Sequence, residues 1–266
     1  MSYLVCIDPG HAKSTAGKRS PDGSLREYEF NRDVAKRIKA ILERHGVKTI
    51  FSCNIESDDD ASLASRCKVA NDAKANVFVS IHANAHGDGT DWTTGKGWEV
   101  FHHKGSVEGK KLAEAIRSES ISALGLKDRG IKTNGLYVTK NTNMPAVLIE
   151  HGFFTNKEEC EKLKSSDFRE RCAIADAKGI LKYLGVTYVK DVPTSIPAQP
   201  SAPSGVPYTI RITCDALNVR GGPGVHYPRN YVIKDKKQYT IVEEQKGWGK
   251  LKSGKGWISL QYTERV

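Results

Sequence analysis

The sequence predicts an α/β domain followed by a small all-β barrel, and three observations carry that prediction. Residues 3–184 alternate strand-like apolar runs with helical, amphipathic ones. A stretch reading PTSIPAQPSAPSGVP then gathers five of the ten prolines between Pro193 and Pro207. Beyond it the chain breaks into short strand-like pieces, ALNVRGGPG, QYTIVEE, GWGKLK and GKGWISLQY, separated by Gly, Pro and Lys. The expected division is a first domain over 1–185, a linker over 186–206 and a second domain over 207–266. Few apolar side chains and many prolines make the linker semi-extended, at about 3.1 Å per residue where polyproline II dominates.

Each element of the first domain has a local reason. Tyr3–Ile7 is a buried strand. Asn31–Arg44 carries Val34, Ile38, Ile41 and Leu42 at helical spacing, with Gly46 as a stop. Thr49–Phe51 is a short strand, Ala61–Ala75 a helix and Val77–Ile81 a strand. Gly97–Phe101 reads as a strand and Val107–Leu124 as a helix. Leu136–Thr139 and Ala146–Glu150 read as strands, and Phe168–Leu184 as a closing helix. Strands that alternate with helices imply a mostly parallel sheet with helices on both faces.

Composition narrows the class. The 266 residues suffice for a sizeable core. No run approaches the roughly 18 apolar residues of a membrane-spanning helix. The start, MSYLVCIDPGH, lacks a basic, then apolar leader, so no signal peptide is expected and synthesis in the cytoplasm is. Six cysteines without a CxxC pair read as reduced core thiols, a Cys160–Cys172 bridge being the alternative. The formal charge of +10 has two readings, a lysine-rich solvated surface or attraction to a polyanion. No Lys/Arg block of the nucleic-acid kind is present.

In open α/β sheets, ligands bind beyond the C-terminal ends of the strands. Three predicted strands end there in chemically active residues: IDPGH in His11, FVSIH in His82 and AVLIE in Glu150. A helix supplies a fourth. With Val34 as origin, Glu27 falls at about 20° on the apolar stripe and Glu29 at about 220°, facing water. SLRE also fits a capping box that starts the helix at Ser24 and turns Glu27 back on the Ser24 amide. An inward carboxylate beside two inward imidazoles has another reading, because buried carboxylates require a cation or many donors. Two imidazoles and one carboxylate are the protein ligands of a catalytic zinc site. His11, Glu27 and His82 supply that set, at spacings too long to form a local motif.

Taken in order, VCIDPGH, EYEFN, VFVSIHANA and PAVLIEHGFFTN resemble the zinc-dependent N-acetylmuramoyl-L-alanine amidases of the amidase-3 family over about residues 1–184. The resemblance implies a twisted six-stranded sheet flanked by helices, metal ligands at His11, Glu27 and His82, and a catalytic glutamate at Glu150. GHAKSTAG, where many members have GHGG, looks like the phage-endolysin branch. Residues 208–266 resemble a bacterial SH3-type domain of cell-wall hydrolases. They hold 11 Lys and Arg against 5 Asp and Glu, a net of +6 that suits an anionic wall polymer. At least two of Trp248, Trp257, Tyr227 and Tyr231 are expected in the barrel core.

The implied function is a peptidoglycan hydrolase that uses Zn²⁺ and cuts the amide between N-acetylmuramic acid and L-alanine. Its partners would be peptidoglycan and anionic wall polymers, with no nucleic acid and no membrane span. It would act on the wall after release from the host cytoplasm. The alternatives are a zinc peptidase cutting within the stem peptide and a non-catalytic wall-binding protein. His151 either orients the substrate or faces away.

Overall fold

A computed structural model describes residues 3–190, 206–224, 227–245 and 247–266. Most of the expected linker, 191–205, lies outside the described residues. The chain divides into two compact units, residues 1–195 and 196–266.

The first unit runs β1 (Leu4–Pro9), α1 (Glu27–Arg44), β2 (Lys48–Phe51), α2 (Leu63–Asp72), β3 (Val77–Asn84), β4 (Trp98–His102), α3 (Val107–Leu124), β5 (Asp128–Thr133), α4 (Tyr137–Lys140), β6 (Ala146–Phe153), α5 (Lys157–Lys164) and α6 (Ser166–Tyr183). Six strands form one sheet in the order β2-β1-β3-β6-β4-β5. β2, β1, β3 and β6 are mutually parallel, β4 runs antiparallel to β6, and β5 lies parallel to β4. The sheet is therefore mixed but mostly parallel, as expected.

Strand alternation sorts the two faces. Val5, Ile7, Val77, Val79, Val147 and Ile149 pack with Val34, Ile38, Ile116 and Ile180 of α1, α3 and α6. Cys6, Phe78 and Leu148 point the other way, against Cys67 and Ala70 of α2 and Val138 of α4. Each such buried Ile, Leu or Phe contributes about 1.5–3 kcal/mol, so the larger α1–α3–α6 layer anchors the sheet.

Several expected boundaries move. Leu136–Thr139 is no strand: Tyr137–Lys140 is a single helical turn whose Val138 reaches Phe78 and Leu148. Tyr, Val and Thr favour a pleated surface, and packing overrides that weak preference. The sixth strand is instead Asp128–Thr133, a charged segment pairing only with β4. Charged residues are common on such edges and hide the strand pattern. α1 starts at Glu27 with Arg26 as its N-cap, so the Ser24 capping box does not form. β3 and β6 continue past His82 and Glu150. All six thiols are unbridged, which leaves the Cys160–Cys172 alternative unrealised.

The second unit contains β7 (Tyr208–Ile212), β8 (Leu217–Arg220), β9 (Arg229–Ile233), β10 (Gln238–Gln245), β11 (Trp248–Leu251), β12 (Trp257–Ser259) and β13 (Thr263–Arg265). They form one antiparallel sheet, ordered β13-β7-β10-β11-β12-β8-β9. Ile210, Ile212, Val219, Ile241, Leu251 and Ile258 make its core, with Tyr231 packed against it. Trp257 is buried, Trp248 half-buried and Tyr227 exposed. This small all-β unit is compatible with an SH3-like domain.

Candidate active site

The strand register brings the expected residues to one edge. Pro9 of β1 pairs with Ile81 of β3, and His82 of β3 pairs with Glu150 of β6. His11 follows β1 directly, and Glu27 opens α1, which packs against β1 and β3.

Glu27 is buried, while Glu29 is exposed, as the helical phase requires. The Glu27 Oε1 lies 2.9 Å from His82 Nδ1. The same oxygen accepts from the Ala83 amide and from Asn31 Nδ2, each at 3.2 Å. Its Oε2 stands 3.4 Å from His11 Nε2. The two imidazoles meet edge to face, with centroids 5.0 Å apart. Among the described residues, His11, Glu27 and His82 are the one set of three such side chains whose ligand atoms all lie within 4.8 Å of one another.

Local backbone makes this convergence feasible. Gly10 donates to the Ile81 carbonyl at 3.0 Å, tying the turn after β1 to β3. A Cβ on Gly10 would sit 2.1 Å from His82 Cε1, so only glycine lets the ring lie against the turn. His11 itself has φ 61°, a left-handed conformation that non-glycine residues adopt at some energetic cost and that clusters at functional sites.

The electrostatics suit cation binding. Burial pushes His11 down to about 4, against the opposing charge of Glu27, so its imidazole is neutral at neutral pH. Burial also works against the charged forms of Glu27 and His82. Their mutual hydrogen bond and attraction outweigh it, lowering Glu27 and raising His82. A neutral imidazole, a second imidazole and an ionised carboxylate, all converging, fit a divalent metal that takes N and O ligands.

Glu150 is different. Its Oε2 is buried and has no hydrogen-bond partner among the described residues. Burial raises its pKa to about 8; the negative charges of Glu27 and Glu99 add to this and His82 opposes it.

Sequence reasoning misses the supports. Buried Asp8 accepts from Ser80 Oγ at 2.5 Å and pairs with Arg66 Nη1 at 2.7 Å. Arg66 also holds Asp60 at 2.7 Å and donates to the Pro9 carbonyl, fixing the turn that carries His11. Asp8 stands in the IDPGH run and is visible there; Arg66 lies 58 residues away with no local signal. His151 faces away from the cluster. It is fully buried, with Nε2 2.7 Å from Asp176 and Nδ1 3.2 Å from the His82 carbonyl, and braces β3 against α6.

Residues 5–182 match the family described as N-acetylmuramoyl-L-alanine amidase. The chain is similar to the N-acetylmuramoyl-L-alanine amidase LytC of Bacillus subtilis, 35% identical over 181 residues, which cover 67% of this chain and 35% of LytC. The match thus spans about a third of that relative's length. It is also similar to the endolysin of Bacillus phage SPP1, 32% identical over 70% of this chain and 68% of the phage protein. Among solved structures, the catalytic domain of CwlV, an N-acetylmuramoyl-L-alanine amidase from Bacillus (Paenibacillus) polymyxa, superimposes with a TM-score of 0.64 at 34% identity. That likeness covers 70% of this chain and 99% of the CwlV domain.

Proposed function

Since residues 5–182 make this chain a member of the N-acetylmuramoyl-L-alanine amidase family, we propose that it hydrolyses the peptidoglycan amide joining N-acetylmuramic acid to L-alanine. One observation carries the reading: His82 of the His11–Glu27–His82 cluster pairs in register with Glu150 on the neighbouring strand, and the buried Glu150 oxygen has no partner among the described residues. His11, Glu27 and His82 would hold Zn²⁺. When bound, zinc supplies Lewis acidity and lowers the pKa of water to about 7.

The chain's own groups then have distinct tasks. Glu150, in its ionised form, takes the proton of the attacking water and passes it to the leaving nitrogen. Asn31 holds the Glu27 carboxylate and the Gly10 carbonyl together, at 3.2 and 2.9 Å. Arg66 and Asp8 hold the turn before His11. The first test is digestion of purified peptidoglycan with and without a chelator, followed by mass spectrometry. New L-alanine amino termini, lost on chelation and restored by zinc, are expected. Termini within the stem peptide, or activity indifferent to the chelator, would overturn the reading.

The second unit docks the enzyme on the wall, its net +6 attracted to anionic wall polymers. Removing residues 207–266 is expected to reduce co-sedimentation with purified walls, and added salt should weaken binding of the full chain. Equal sedimentation with and without these residues would contradict this.

A further inference from the structure

The edge of the sheet beyond Glu150 carries a group of charges that metal binding and proton transfer do not use. Glu99 of β4 pairs in register with Glu150 of β6, so the two side chains share a face of the sheet. Glu99 is 4% exposed. Its Oε1 accepts from Asn84 Nδ2 at 2.8 Å. Its Oε2 accepts from Arg129 Nε at 2.6 Å and also from Lys132 Nζ, both on the next strand, β5. One carboxylate thus serves two cations, which leaves one positive charge over.

The guanidinium is set in place rather than loose. It lies 5.0 Å from the centroid of the Phe153 ring. Its side chain crosses Gly97 so closely that a Cβ there would stand 2.9 Å from Arg129 Cγ. Its side chain is nevertheless 32% exposed, and that of Lys132 37%, so both can meet a ligand. On the opposite flank the loop before α2 carries Asp58, Asp59 and Asp60, with Asp60 Oδ2 3.9 Å from His11 Nδ1; there Asp58 is paired to Lys13 and Asp60 to Arg66, so no such surplus of positive charge arises.

We infer that Arg129 and Lys132, braced by Glu99, form an anion subsite that receives a carboxylate on the peptide limb of the substrate. This rests on the amidase reading, and it orients the substrate. β5 lies two strand spacings from β6, about 10 Å. An extended peptide covers that span in about three residues at 3.3–3.6 Å each. A carboxylate on the second or third residue after the cleaved amide therefore reaches the pair. The glycan limb leaves toward the opposite flank, where Asp58 and Asp60 are already matched by Lys13 and Arg66.

The test uses two muramoyl peptides that differ at one group, the free α-carboxylate of the second residue or its carboxamide. The native enzyme is expected to prefer the carboxylate by about tenfold in kcat/KM, mainly through KM, as for a partly exposed charge-assisted contact. Arg129→Gln with Lys132→Gln should bring that ratio near one. Lys132→Gln alone, which keeps the Arg129–Glu99 pair, should give an intermediate ratio. In the unmodified enzyme, added salt should raise KM for the carboxylate substrate and not for the carboxamide. A ratio near one in the native enzyme, or one that survives both substitutions, would overturn the subsite while leaving the amidase reading standing. Failure of the native enzyme to cut either substrate would overturn both.

Discussion

The two flanks of the site each place a carboxylate beside the same imidazole and treat it in opposite ways. On the β1–β3–α1 flank, Glu27 meets His82, His11, Asn31 and the Ala83 amide, and its pKa is lowered. On the β6–β4 flank, Glu150 Oε2 has no partner among the described residues, and burial takes its pKa to about 8. Glu27 is the more buried of the two, yet its pKa is the one that falls, so burial does not separate them. The number of donors does: a carboxylate surrounded by donors is fixed as an anion, suited to grip a cation, whereas one left alone is free to exchange a proton.

The largest effect that would break this contrast is at Glu150. Glu150→Gln removes the proton carrier but keeps its shape, and wall hydrolysis should fall about 10²–10⁴-fold. Zinc content, measured by elemental analysis, should be unchanged. Activity within about tenfold of the native protein would mean that the lone carboxylate is not the carrier.

Next is the gripping carboxylate. Glu27→Ala should cut zinc retention on dialysis by at least about 10–100-fold, the range that loss of a mere outer-shell partner typically costs. Glu29→Ala, two residues on and facing water, should retain zinc like the native chain. If both variants keep the metal, Glu27 is a packing residue and the flanks do not differ in kind.

The same geometry explains how much of the fold and site is legible in the sequence. Apolar periodicity locates α1 and α3, and the phase of α1 places Glu27 inward and Glu29 outward. His82 and Glu150 can be read because their strands are buried and apolar up to the chemistry. β5 cannot, since Asp128, Arg129 and Lys132 interrupt any pattern and its pairing to β4 is a tertiary event. For that reason the basic pair beside Glu99 stays hidden, as does Arg66, whose partner Asp8 lies 58 residues away. The start of α1 is misplaced because Ser24 and Glu27 mimic a local cap, while Glu27 is held by His82 from 55 residues further on.

The smallest effect sharpens the contrast through pH. Glu99 is a further buried carboxylate of this edge; burial works against its charge, yet Lys132 and Arg129 outweigh that and lower its pKa. A carboxylate depressed on folding adds stability above its unfolded pKa, about 4.3, and that stability is lost as pH falls through the lower, folded value. Glu99→Gln should therefore destabilise the protein at pH 7. The loss should be only about 1 kcal/mol, because both cations are about a third exposed and water screens them. In urea titrations the gap between native protein and variant should shrink on going from pH 7 to below about pH 4. A gap of the same size at both pH values would mean that Glu99 supports the edge by shape alone, and the basic flank would then lack the electrostatic character that sets it apart from the metal-binding one.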